Sequence, residues 1–214
     1  MEYGTEINEA KLTEYSRRFL TQTEKTSRPL LIMSEKPEGL LVESRVLVRD
    51  EDDAEQVFQE HYYGKYDEED VLELSLVEAY HLVQRNLLNV VNQDSKIEKE
   101  KLLDLFSEKD SEFYHKLQAY SDLRERGFIV KTGFKFGAHF RVYPRGVNPY
   151  EDGPKKQEQH TKWVVHAVRE DEELSFSELS RAVRLAQNIR ATMLWAVVDS
   201  ESGVTYYEVE RKTP

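Results

Sequence analysis

Two residues have the type and setting for chemistry. Tyr143 closes the run Phe-Arg-Val-Tyr, and His160 heads His-Thr-Lys-Trp-Val-Val-His-Ala-Val, 17 positions later. A phenol with its ordinary pKa near 10 is a poor base at neutral pH unless a cation lies beside it. On spacing alone the plainer account of each is structural: a strand-end tyrosine packing on a loop, and a loop histidine in solvent. The segment between them, 144–159, holds Pro144, Gly146, Pro149, Gly153 and Pro154 and reads as a long loop.

The elements that must position these residues follow from periodicity. Phe113, Leu117, Tyr120 and Leu123 share one helical face, and Gly127 stops that helix. Residues 128–130 and 138–143 read as strands with glycines 133 and 137 between them, and 163–168 as a third. Ser175-Phe-Ser-Glu178 is a capping box opening a helix with Leu179, Ala182, Val183, Ala186 and Ile189 inward. A strand over 194–198, a turn at Asp199–Gly203 and a last strand over 204–209 complete a small mixed sheet with two helices.

Upstream, 7–25 reads as a polar leading helix or a frayed segment. Leu30-Leu-Ile-Met33, Leu40-Leu-Val42 and Val46-Leu-Val48 read as strands, with Pro37-Glu-Gly39 as a turn. Residues 51–60 form a short helix that the glycine of His61-Tyr-Tyr-Gly-Lys65 breaks. Ser75-Leu-Val-Glu78 is a second capping box, with Leu76, Ala79, Tyr80 and Val83 at helical spacing behind it. Residues 92–111 are rich in charge and free of glycine and proline, as a connecting helix would be. The expected class is α/β (α+β). The expected domains are a mixed amino-terminal one over 1–91 and a carboxy-terminal one over 112–214, joined by the 92–111 helix.

A net charge of −11, taken whole, argues against a nucleic-acid partner. The charge is uneven. Residues 113–214 carry 16 Lys+Arg against 14 Asp+Glu, which leaves 14 against 27 (30 − 16 and 41 − 14) for residues 1–112. The acidity therefore belongs to the first half, where a solvated surface accounts for it, and the second half is free to hold a basic site. With no cysteine, disulfides and thiolate metal sites are excluded. No apolar run reaches the length of about 18 residues that a membrane span needs. Met-Glu-Tyr-Gly-Thr-Glu lacks the basic-then-apolar pattern of a secretory signal. A soluble cytoplasmic protein is expected.

At this point a resemblance is specific. Tyr120-Ser-Asp-Leu-Arg-Glu-Arg-Gly-Phe-Ile-Val-Lys-Thr-Gly-Phe-Lys-Phe-Gly-Ala-His-Phe-Arg-Val-Tyr-Pro-Arg-Gly146 resembles the signature of the archaeal tRNA-splicing endonucleases. The block from Glu178 to Val209 is similar to the same family, with Ser-Arg-Ala-Val-Arg-Leu-Ala-Gln near its start and Val-Thr-Tyr-Tyr-Glu-Val at its end. His61-Tyr-Tyr-Gly-Lys65 and Leu74-Ser-Leu-Val-Glu-Ala-Tyr80 resemble its amino-terminal domain. The likeness covers roughly residues 28–210. It implies a nuclease-like carboxy-terminal domain, cleavage of precursor tRNA at a bulge-helix-bulge without metal or cofactor, and 2′,3′-cyclic phosphate and 5′-hydroxyl ends. It also implies a homo-oligomer or a heterotetramer with a related subunit, because one unit is too small to hold both half-sites.

RNA carries its own nucleophile, the 2′-hydroxyl. Cutting it without metal needs a base for the 2′ proton, an acid for the leaving 5′ oxygen and a cation for the charge on phosphorus. The resemblance assigns these to a tyrosine, a histidine and a lysine. Tyr143 matches the tyrosine and His160 the histidine, with a wider gap between them than the family's. His139 lies inside the signature without being the catalytic position, and His166 belongs to the strand and its core. The lysine position reads Ala191, and Arg190 before it is expected to point about 100° away round a helix.

Three explanations of Ala191 stay open: an engineered substitution, a naturally non-catalytic subunit, or replacement by Lys162 or another cation. Arg184, two helical turns before 191, matches an arginine that stacks on a flipped bulge base. Lys155 and Lys156 are candidates for phosphate contacts, and Asp199 and Glu201 resemble an acidic loop that docks on a partner subunit. The alternative function is a structural subunit that positions a catalytic partner. A weaker third reading is a general RNA-binding module of nuclease fold.

Overall fold

The computed structural model describes residues 36–59, 61–93, 95–133, 137–150 and 159–212. The segments expected at 7–25 and 30–33, and Lys155 and Lys156, lie outside the described residues. Two mixed sheets and five helices make up the described chain, an α/β arrangement.

The first sheet is built from Glu38–Val42 (β1), Arg45–Val48 (β2), Lys65–Tyr66 (β3), Leu72–Ser75 (β4), Asn89–Asn92 (β5) and Ser95–Lys96 (β6). Its order is β3-β4-β2-β1-β5-β6, with β1 and β5 parallel and the other pairs antiparallel. The expected turn at Pro37-Glu-Gly39 is not one. Glu38 and Gly39 are already in β1, opposite Asn89 and Val90, and the chain reverses at Glu43, which has a positive φ of 50°. Gly39 is there for space. A Cβ on it would lie 2.4 Å from Val46 Cγ1, so only glycine lets the strands close over the core.

Glu51–Gln59 (α1) and Leu76–Gln84 (α2) pack on this sheet. Ser75 caps α2 as its sequence requires: its hydroxyl accepts the Glu78 N–H, and Glu78 reaches back to the Ser75 N–H. Lys99–Lys109 (α3), within the stretch expected as a connecting helix, buries Leu102 and Phe106 completely. Tyr80 of α2, Phe106 of α3 and Phe113 of the next helix meet edge to face with ring centroids 5.6–6.3 Å apart. Each buried ring contributes roughly 1.5–3 kcal/mol by leaving water.

Phe113–Glu125 (α4) and Phe176–Asn188 (α5) cover opposite faces of the second sheet. That sheet contains Ile129–Thr132 (β7), Phe140–Tyr143 (β8), Trp163–Arg169 (β9), Thr192–Val198 (β10) and Val204–Val209 (β11), in the order β11-β10-β9-β8-β7. Strands β9 and β10 are parallel and joined through α5; the remaining pairs are antiparallel. Val142, Val165, Ala167, Leu194 and Ala196 point to α4, and Val164, Val168, Met193 and Trp195 point to α5, as period-two alternation requires.

Buried charge joins the two units. Gly64, held at φ +69°, has no room for a side chain, since a Cβ would sit 2.7 Å from the Glu73 carbonyl oxygen. Its N–H donates to Glu78 Oε1 at 3.0 Å, and Lys131 of β7 donates to the carbonyls of Tyr62 and Gly64. Lys131 Nζ lies 3.8 Å from Glu78, and burial pushes its pKa down to about 8. Arg124 of α4 donates from both terminal nitrogens to the His61 carbonyl at 3.1 Å, and its guanidinium lies 3.8 Å from the centre of the Tyr63 ring.

Candidate active site

Tyr143 stands at the end of β8. It is buried, with its hydroxyl accepting a hydrogen bond from Arg141 Nη1 at 3.1 Å. Residues two apart on a strand share a face, so the pair follows from Phe-Arg-Val-Tyr itself. Sequence reasoning asked for a cation beside the tyrosine and overlooked the one that alternation supplies. Arg141 Nε also donates to the Thr132 carbonyl at 3.2 Å, which steadies the guanidinium against β7.

His160 is exposed and lies two residues before Lys162, where the chain enters β9. The Lys162 N–H donates to the Val142 carbonyl at 2.8 Å, so the segment that carries His160 leads into β9 beside the strand that ends in Tyr143. His139 has a different task. Its Nδ1 accepts the Ala167 N–H at 3.0 Å, its Nε2 lies 3.6 Å from Glu112, and burial with the nearby His166 pushes its pKa down to about 4. His166 stacks on Trp195 with centroids 5.0 Å apart, and burial lowers its pKa as well. Both are held by packing and hydrogen-bond contacts, as the sequence reading expected for His166.

Ala191 is buried and does not belong to a helix. Helix α5 closes at Asn188. The Arg190 N–H donates to the Gln187 carbonyl at 3.0 Å, and the Ala191 N–H to the Ala186 carbonyl at 3.0 Å. This is a Schellman closure with Arg190 at φ 58°, where glycine is usual. The chain therefore turns sharply at Arg190 and enters β10. Two helix-based expectations fail for that reason. Arg190 is separated from Ala191 by a backbone reversal and not by 100° of helix. The two-turn relation of Arg184 to position 191 does not hold either. Arg184 is exposed on α5, its Nε donating to the Ser180 carbonyl at 3.3 Å.

A cavity of about 170 Å³ lies beside Ala191, lined also by Val183, Gln187, Val209 and Arg211. Asp199 and Glu201 sit in the β10–β11 turn. Asp199 Oδ1 accepts the N–H groups of Glu201 at 2.9 Å and Gly203 at 2.8 Å, so its carboxylate is committed to its own turn, while Glu201 is exposed. Among the described residues, no group of three or more acidic or histidine side chains is placed to hold a metal ion. Nor is any helix among them long and apolar enough to cross a membrane.

Comparison with known proteins fits this geometry. Residues 113–206 match the family model described as tRNA intron endonuclease, catalytic C-terminal domain, and residues 38–103 match the tRNA intron endonuclease N-terminal domain. The chain is 39% identical over 166 residues to the tRNA-splicing endonuclease of Thermococcus kodakarensis, covering 78% of this chain and 92% of that protein. It is 35% identical over 173 residues to the tRNA-splicing endonuclease of Methanothermobacter thermautotrophicus, covering 81% of this chain and 96% of that protein. A tRNA-splicing endonuclease of Methanococcoides burtonii is 36% identical over 175 residues, and there the chain spans 48% of the relative's length.

Proposed function

The chain belongs to the tRNA intron endonuclease family, and from that premise we propose that it is a subunit of a nuclease that cuts precursor tRNA at bulge-helix-bulge introns. The observation that carries the reading is Tyr143 at the end of β8 with a guanidinium at its phenol oxygen, and His160 three residues before the adjoining β9 begins.

In this reading Tyr143 acts as a phenolate and takes the 2′ proton. The 2′ oxygen bonds to phosphorus, the bond from phosphorus to the 5′ oxygen breaks, and a protonated His160 gives its proton to the departing oxygen. The products are a 2′,3′-cyclic phosphate and a 5′-hydroxyl. One proton has moved from His160 to Tyr143 by way of the RNA, and solvent returns it. Arg184, exposed on α5, stacks on an unpaired base of the bulge, and Lys155 and Lys156 supply contacts to phosphates. Glu201 docks on a second subunit, a copy of this chain or a relative; Asp199 supports it by shaping the turn.

The test is cleavage of a bulge-helix-bulge precursor by the full chain, with end-group analysis of the products. Tyr143→Phe and His160→Ala are each expected to slow cleavage by about 10²–10⁴. Unchanged rates, or 3′-hydroxyl ends, would overturn the proposal. Ala191 favours a second reading, a non-catalytic subunit that positions a partner. Cleavage that appears only when a related chain is added would support it.

A further inference from the structure

Strand pairing gathers four side chains at the end of the second sheet. Ile129 pairs with Tyr143, and Val142 with Trp163. Phe128 just before β7, Arg145 just after β8 and Lys162 just before β9 therefore meet at one sheet end. Their contacts form a single row. Lys162 Nζ lies 3.9 Å from the centre of the Trp163 ring. The Trp163 and Phe128 rings meet edge to face with centroids 5.3 Å apart, and the Arg145 guanidinium lies 5.2 Å from the centre of the Phe128 ring. The order is cation, ring, ring, cation. Both rings pack on the core under α4, as do Phe140 and Val142 of β8, so Tyr143 stands on the opposite face.

The rings are fixed and the cations are not. Phe128 and Trp163 are half-buried, and Trp163 Nε1 donates to Glu208 Oε2 at 3.4 Å. Lys162 and Arg145 are exposed, and among the described residues neither is paired with a carboxylate. Arg126 nearby is different, because Asp122 holds its guanidinium at 2.6 Å.

We infer that this row is an RNA-contact surface, separate from Tyr143 and from Arg184: the rings stack an unpaired base, and Lys162 and Arg145 meet the phosphates beside it. This rests on the nuclease reading above. Aromatic faces flanked by cations are how proteins hold single strands without reading their sequence. A cation over an exposed ring is held less firmly than a stacked base, so both cations can leave the rings for phosphate as a base takes their place. An acidic protein segment would use the cations and leave the rings idle.

The experiment measures binding of a labelled bulge-helix-bulge precursor to the full chain across a range of salt, for the natural chain and for Lys162→Ala, Arg145→Ala and the double variant, with a thermal melt of each. Each exposed cation removed is expected to weaken binding about tenfold at low salt, and to flatten the log–log salt dependence by about 0.7, with the melt unchanged. The chain has two tryptophans, and Trp195 is buried. The precursor is expected to quench the emission of the natural chain and not that of Trp163→Phe, which keeps a ring against Phe128. Natural affinity and salt slope in the double variant, or emission that the precursor leaves unchanged, overturns the inference while the nuclease reading stands. So does a double variant that binds RNA normally and loses self-association in sedimentation, which assigns the row to an acidic partner. If the natural chain does not bind the precursor at all, the nuclease reading falls and takes the inference with it. The emission of the natural chain decides the matter even where a variant melts early.

Discussion

Charge is used in opposite ways at the domain junction and at the end of the second sheet. At the junction, Glu78, Arg124 and Lys131 are buried, and each is met by backbone groups of the 61–64 loop. Glu78 Oε2 also accepts from the Ser75 N–H and hydroxyl. A buried ion is tolerable only when its hydrogen-bonding capacity is filled in this way, and these carbonyls and amides fill it. Near the end of the second sheet, His160 and Lys162 are exposed and loosely tied, and so is Arg184 on α5. Cations anchored to their own backbone hold a fold together. Cations left in solvent remain available to a polyanion.

The largest expected effect is at the junction. Lys131→Met strands two buried carbonyls and Glu78, and is expected to cost about 3–5 kcal/mol of stability in urea unfolding. A small loss of stability with a large loss of cleavage would break the contrast, because it would place Lys131 in the chemistry.

Acid should act on the buried histidines next. His81, bonded to Ser121 at 3.0 Å, and His139 both have pKa values pushed down to about 4 from 6.5, chiefly by burial. Between pH 6.5 and 4 the unfolded chain binds protons that the folded chain refuses. Stability is thus full above about pH 6.5 and falls as pH drops towards 4, by about 3 kcal/mol for each histidine. Denaturant midpoints measured from pH 7 to pH 4 check this, and His81→Gln should flatten the slope.

The smallest of the three effects belongs to the exposed cations. Arg184→Ala is expected to weaken binding of bulged RNA by about 1–3 kcal/mol while leaving the melting temperature nearly unchanged. A drop of several degrees without loss of binding would move Arg184 to the structural side of the contrast.

Local patterns were readable in the sequence, and register was not. Both capping boxes, the buried face of α4 and the glycine turn at 64 are written in neighbouring residues. Gly39 was misread as a turn because a glycine chosen for close approach to Val46 looks the same in sequence as one chosen for a bend. The reversal at Arg190 gave no signal, since an arginine occupies the left-handed position that glycine normally marks. The Arg141–Tyr143 pair was readable and missed. The place of Trp163 between Val142 and Thr192 required strand pairing, a non-local fact. So did Lys131, whose carbonyl partners lie some seventy residues upstream.

Tyr150 carries one further consequence. Its hydroxyl donates to the Gly64 carbonyl at 3.0 Å, and its ring packs on Phe58 at 5.3 Å. The segment leaving Tyr143 is therefore moored to a loop made much earlier in the chain. During synthesis the first unit emerges before the second and can fold first, offering a finished mooring when Tyr150 appears. A chain truncated before Gly64, or misfolded there, has nothing to fasten that segment to. The arrangement ties the setting of Tyr143 to a part of the chain made long before it.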